Sequence, residues 1–258
     1  MSAFWGIARF EFGMMIRRRG LWLAYGLLFA FYAAQVPGGF GRSLVEGGEG
    51  RLAAVAAEIV YMLNMFMPLI GGLAVADRLV RDLRLGVREL QRSAPVRTGT
   101  WLLGKFVGVM GASAVPMFGF VLIIGAALAV TGHAPAAFVL NILIAWLAIA
   151  LPALIFVSAF SLAFPLVLPL RVYQVLFTGY WFWGNYLNPK VFPTLSGTLL
   201  TPGGIFALRG FFGGELPGGR GVSIGPGAAA LNIAVLAVLA AAALVAGIWL
   251  VDRRERVS

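Results

Sequence analysis

No cysteine occurs in the 258 residues, and His133 is the single histidine. Disulfides and thiolate metal sites are excluded, and histidine clusters with them. Charge is also scarce. Asp, Glu, Lys and Arg make up 12% of the chain, about half the usual share of a soluble domain. The acidic sign is the scarcer one, 10 residues against 20 basic, for a formal net charge of +10. No basic, aromatic-interleaved soluble segment is present, so nucleic acid is not the expected partner. The apolar stretches hold no paired carboxylates, which leaves intramembrane hydrolysis and histidine-based acid–base chemistry poorly supported.

Apolar sequence is what the chain has. Hydrophobic residues make up 60%, and the mean hydropathy is +0.92. A soluble fold of this length could not hide so much apolar surface. The expected class is an all-α polytopic membrane protein, one transmembrane domain over 1–258. Six stretches approach the length of about 20 residues that spans a bilayer: roughly 20–36, 53–76, 104–130, 136–164, 172–188 and 228–251. The leader before the first is too long, and itself too apolar, for the usual layout of a cleaved signal peptide.

Basic residues give the orientation. Arg9, Arg17, Arg18 and Arg19 precede span one. Arg78, Arg81, Arg84, Arg88, Arg92, Arg97 and Lys105 lie between spans two and three. Arg171 separates spans four and five, and Arg253, Arg254 and Arg256 follow span six. The opposite side holds only Arg42, Arg51, Lys190, Arg209 and Arg220. Both termini are therefore expected in the cytoplasm, in a plasma or inner membrane of a prokaryotic cell.

In the leader, residues 1–19, Phe4, Trp5, Ala8, Phe12, Met15 and Ile16 fall within an arc of roughly 120° at helical spacing. Glu11, Arg17 and Arg18 lie off it. The pattern reads as an amphipathic helix in the cytoplasmic interface. The piece over 189–227 is apolar in parts but broken by Pro and Gly. It reads as an external loop with short helices, or as a re-entrant segment. Pro116 and Pro152 are expected to kink their spans. Gly104 and Gly108 suit close helix packing, and Asn64 and Asn141 are candidates for bonds between helices.

The stretch GTWLLGKF, Gly99 to Phe106, matches a phosphate-binding loop up to its last position. Such a loop needs Ser or Thr after the lysine to hold magnesium, and a strand leading in. Here Phe106 follows Lys105, so Lys105 is expected to snorkel at the membrane surface instead.

The segment over 77–100 is too charged to enter the bilayer. Leu79, Leu83, Val87 and Leu90 recur at helical spacing, giving one apolar edge on a charged helix. Gly86 should interrupt the helix, and Pro95 should turn the chain at Ala94. Such a helix is suited to docking on another protein. Equally, its charges could serve only as an anchor that fixes orientation.

Asp82, Gly86, Glu89-Leu90, Pro95-Val96 and Gly104-Lys105 follow one another in an order that resembles the ABC-2 type transporter permeases. The topology resembles that family over nearly the whole chain, the residue pattern over some thirty positions. The resemblance implies a membrane subunit of an exporter with no ATPase of its own. ATP and magnesium would be bound by two cytoplasmic ABC ATPase subunits, and a second permease, identical or paralogous, would complete the assembly in the lipid bilayer. It implies an ATPase-coupling role for Arg84, Gly86, Val87, Arg88, Glu89, Leu90, Arg92 and Pro95. The leader would be the family's interfacial elbow helix. The arginine content of the coupling segment is higher than the family pattern leads one to expect.

Two further features are candidates for a substrate path. Glu58 is a carboxylate within span two. Tyr180, Trp181 and Trp183 belong to a dense aromatic cluster that could line a path or form an interfacial belt. The alternative function is an ion-coupled secondary transporter without an ATPase, for which Glu58 is the coupling candidate.

Overall fold

The structure is a computed structural model that describes residues 3–35, 49–86, 96–188, 191–215 and 223–257. Its elements are helical, and no strand occurs among the described residues. Helix α1 covers Ala3–Ile16 and α2 covers Arg19–Gln35. Span two is built of three pieces: α3 over Leu52–Asn64, α4 over Met67–Val75 and α5 over Arg78–Arg84. Then come α6 over Thr98–Val130, α7 over Ala137–Ala145 and α8 over Leu151–Ala163. Last are α9 over Leu170–Asn185, α10 over Ile205–Phe212 and α11 over Pro226–Val257.

Four helical runs are long and apolar enough to cross a bilayer: Leu52–Arg84, Thr98–Val130, Ala137–Leu166 and Pro226–Arg254. The two remaining expected spans are the shorter helices α2, of 17 residues, and α9, of 16. At 1.5 Å per residue they reach about 25 Å, just under the apolar thickness of a bilayer.

Helix α8 sits centrally, packed on α4, α6 and α11, and α7 packs on α3 and α6. Helices α2 and α9 both lie against α4. Between α7 and α8 the residues Trp146–Ala150 form a π-helical turn. Pro152 follows it and has no N–H to give back. The wider turn takes up the lost bond, with the Leu151 N–H reaching Trp146 O. Pro152 thus acts through a register slip, whereas Pro116 lies within the unbroken α6.

Span two is interrupted where a continuous helix was expected. Pro68 cannot donate to Asn64 O, and the chain turns at Met65–Phe66. Neighbouring helices supply the missing donors. Tyr186 Oη donates to Asn64 O at 3.1 Å and Trp181 Nε1 to Met65 O at 2.7 Å. From the other side, Tyr32 Oη donates to Met62 O at 2.6 Å and Tyr25 Oη to Met67 O at 3.1 Å. Exposed backbone polar groups are not tolerated in the apolar region, so the interruption depends on these four aromatic side chains.

Within the piece expected over 189–227, α10 is a helix buried over its first half, from Ile205 to Leu208. Left-handed glycines frame it, Gly204 at φ 90° and Gly213 at φ 62°, where a side chain would be strained. It packs against α3 and α11. Three asparagines hold the chain before it. Asn64 Nδ2 donates to Gly203 O at 3.0 Å, and Asn232 Nδ2 to Leu199 O at 2.9 Å and Thr201 O at 3.1 Å. Asn185 Oδ1 accepts from Thr201 Oγ1 at 2.6 Å. Asn64 therefore does bond between elements. Asn141 instead bonds back to Ala137 O in its own helix, at 3.2 Å.

Candidate functional site

The charged residues of α1, α5 and α6 meet at one end of the bundle. Lys105 lies on α6, about two turns into the helix, and is 1% exposed. Its Nζ is bonded to Glu11 Oε1 of α1 and to Asp82 Oδ2 of α5. The Trp101 ring lies 5.3 Å from it, a cation–π distance. Lys105 therefore does not snorkel to water. Two carboxylates from other helices satisfy it inside the protein, because α6 starts at Thr98, six residues before the expected boundary, and carries Lys105 inward.

Glu11 lies beside the expected apolar arc and is buried together with Ala8 and Met15, which belong to that arc. Trp5, on the expected apolar arc, is exposed. The cause is visible on α6. A Cβ at Gly108 would stand 2.5 Å from Ala8 O and 2.7 Å from Glu11 Cβ, and one at Gly104 would stand 3.0 Å from Ile7. The glycine pair makes a groove into which α1 settles, and the settling aims Glu11 at Lys105. Close packing at Gly104 and Gly108 was legible in the sequence; its partner, the leader helix, was not.

A second ion pair lies beside the first. Arg18 donates to both carboxylate oxygens of Asp77, at 3.1 and 3.0 Å, and to Ala74 O at 3.1 Å. A two-pronged pair of this kind fixes orientation as well as charge. Arg78 is buried between the two pairs, with Nη2 3.9 Å from Met15 Sδ. Arg254 of α11 donates to Leu166 O at the end of the third long run. The same end of the bundle thus gathers the leader, the end of span two, the start of span three and the last turns of α11.

The geometry has a specific consequence. Asp82 lies near the start of the charged segment and Lys105 follows its end. Their bond closes the base of that segment, and Glu11 ties the closed base to α1. Of the expected coupling residues, Arg84 ends α5 and Gly86 follows in the left-handed region at φ 65°. The helix stops there, as expected, because glycine adopts that conformation without strain. Val87, Arg88, Glu89, Leu90, Arg92 and Pro95 lie outside the described residues.

The candidate substrate-path residues sit in separate places. Glu58 Oε1 accepts from Arg51 Nη2 at 3.3 Å and from the Glu215 N–H at 3.1 Å, tying α3 to the chain after α10. Trp181 is fully buried and points into the interruption of span two. Trp183 is exposed and donates to Pro193 O at 2.8 Å. Tyr180 is half-buried. The structural use of Trp181, as donor to Met65 O, was missed at the sequence level; Pro68 four residues after Asn64 was the available signal. His133 is exposed in the turn after α6, 2.9 Å from Thr131 Oγ1.

Taken together, the apolar helices define a multi-pass membrane protein, and the ion pairs of α1, α5 and α6 join its helices. Comparison with known proteins narrows the class. Over 108 residues the chain is 34% identical to "Probable ABC transporter permease protein NosY" of Stutzerimonas stutzeri. It is 32% identical over 108 residues to the protein of the same description from Pseudomonas aeruginosa. The match covers 42% of this chain and 39% of each relative, so the chain spans about two fifths of the length of the curated relatives it matches. No family model matches. The similarity supports kinship with ABC transporter permeases.

Proposed function

We propose that this chain is the membrane-spanning permease subunit of an ATP-driven exporter of the ABC-2 type. It crosses the bilayer six times, with α2 and α9 as the two short spans and both termini in the cytoplasm. Two separate ATPase subunits supply the nucleotide chemistry, and a second permease subunit completes the assembly. The observation that carries this reading is the similarity to ABC transporter permeases.

The ion triad supports the reading mechanically. On this proposal the segment over 77–100 docks in the ATPase. Nucleotide binding draws the ATPases together and moves that segment. Because Asp82, Lys105 and Glu11 close its base, the movement reaches span two, span three and the leader helix as one body. Nucleotide can drive the change only through contacts that differ between the two states. A cavity between permease subunits then opens outward. The order Gly104-Lys105 serves that closure, not phosphate binding.

The test is co-purification from native membranes in mild detergent, followed by an ATPase assay. A variant with Val87, Glu89 and Leu90 all changed to Ala runs beside the wild type. The expected outcome is an ATPase that co-purifies with the wild type and is lost in the variant. An intact chain that brings down no ATPase in either sample refutes the reading.

A further inference from the structure

A groove of about 530 Å³ runs between α2 and α4, with Arg18 and Arg19 at one end and Gly20, Ala24, Ile70 and Leu73 along its wall. We propose that it holds an anionic phospholipid, with the phosphate against Arg19 and the start of an acyl chain along the wall. The inference rests on α2 being embedded in the bilayer, and not on any ATPase.

Three observations carry it. First, the groove combines one cationic end with one apolar wall, the division an amphiphile has, at a volume within the range of about 300–1,000 Å³ of small-molecule sites. Second, the charge at its mouth is positive. Asp77 takes up the Arg18 guanidinium, so one acid cancels one base. Arg19 is exposed and has no ion pair among the described residues, and Arg17 beside it is exposed too. Arg78, behind the mouth, offsets the spare carboxylate of the Lys105 triad, so the surplus charge is that of Arg17 and Arg19. Third, the mouth lies where α2 begins, at Arg19. That is the level of the headgroups for a helix entering the membrane there, on the leaflet where anionic lipids attract basic residues. A zwitterionic headgroup would set its own cation against the arginines. Space is available as well, since a Cβ at Gly20 would meet no atom within 4 Å.

The test uses the purified chain in neutral detergent, supplied with phosphatidylglycerol or phosphatidylcholine. Retained lipid is counted by native mass spectrometry, and thermal unfolding is followed in parallel. Wild type is compared with Arg19→Gln, Gly20→Phe and the control Arg171→Gln, which removes another exposed arginine, at the start of α9. Wild type is expected to prefer phosphatidylglycerol. Arg19→Gln should retain it about five-fold less, the worth of one basic residue near an anionic headgroup. Gly20→Phe keeps every arginine and fills the groove. It should unfold at the wild-type temperature without lipid and lose the lipid-dependent gain. Arg171→Gln should behave as wild type.

Equal retention of the two lipids overturns the proposal. So does a loss in Arg171→Gln as large as in Arg19→Gln, or full retention in Gly20→Phe. If inorganic phosphate alone reproduces the stabilisation, the source is a free anion and the lipid assignment falls. If Gly20→Phe instead dissociates a dimer and leaves lipid retention unchanged, the groove receives a second copy of the chain.

Discussion

Lys105 is the residue whose surroundings matter most. An ammonium group removed from water is costly, and its attraction to carboxylates repays the cost only when geometry and partners are good. Here two carboxylates and an aromatic face surround it. Lys105→Met therefore leaves Glu11 and Asp82 beside each other with Arg78 as the remaining buried cation. The expected loss is about 3–5 kcal/mol, the usual cost of breaking a buried pair, read as a large drop in unfolding temperature in detergent. The combined change of Glu11→Leu, Asp82→Leu and Lys105→Met removes the triad and should recover part of that loss, with Arg78 left to Asp77. A triple variant no more stable than Lys105→Met alone contradicts the triad. The sequence could not show these partners. Glu11 stands 94 residues from Lys105, and a window over a single span sees a lysine at a helix start, which ordinarily snorkels.

At the scale of elements, the helices were legible and their interruptions were not. Apolar runs of about 20 residues mark spans whatever they pack against, so α6, the α7–α8 run and α11 lie where hydropathy puts them. The onset of α6 was read late because Thr98, Gly99 and Thr100, which open the helix, are not apolar. The interruption of span two left a weaker trace. Pro68 announces a missing donor, but which groups replace it depends on α2 and α9. The aromatic cluster of α9 therefore looked like a belt or a path, while Trp181 and Tyr186 donate to span two. A double-mutant cycle tests this. Tyr186→Phe should cost about 0.5–1.5 kcal/mol, the net worth of one hydrogen bond. In a Pro68→Ala background it should cost close to nothing, since the alanine N–H can serve Asn64 O in its place. Additive effects of the two changes mean that Tyr186 does not compensate for Pro68.

The whole molecule raises the question of how many times the chain crosses the bilayer. Four runs are long and apolar enough to cross, and the answer turns on α2 and α9. Both are short, yet both lie on α4, inside a run long and apolar enough to span. A short apolar helix can still cross by local thinning of the bilayer and by flanking residues that reach the surface, and Arg17 to Arg19 and Arg171 are placed to do so. The absence of native cysteine makes the test direct, because each introduced thiol reports alone. Single cysteines at Arg17 and Gly50 bracket α2, and at Arg171 and Phe192 bracket α9; all but Arg171 lie outside both helices, and Arg171 is in the first turn of α9. All four positions are exposed. A thiol reagent that does not cross membranes, applied to intact cells, should label Gly50→Cys and Phe192→Cys, and should reach Arg17→Cys and Arg171→Cys only after permeabilisation. Labelling of both members of a pair from the same side removes that helix from the count of spans. Loss of either one would put the two ends of α4's neighbours on one face of the membrane, leaving the interruption of span two to be stitched by a helix that does not cross.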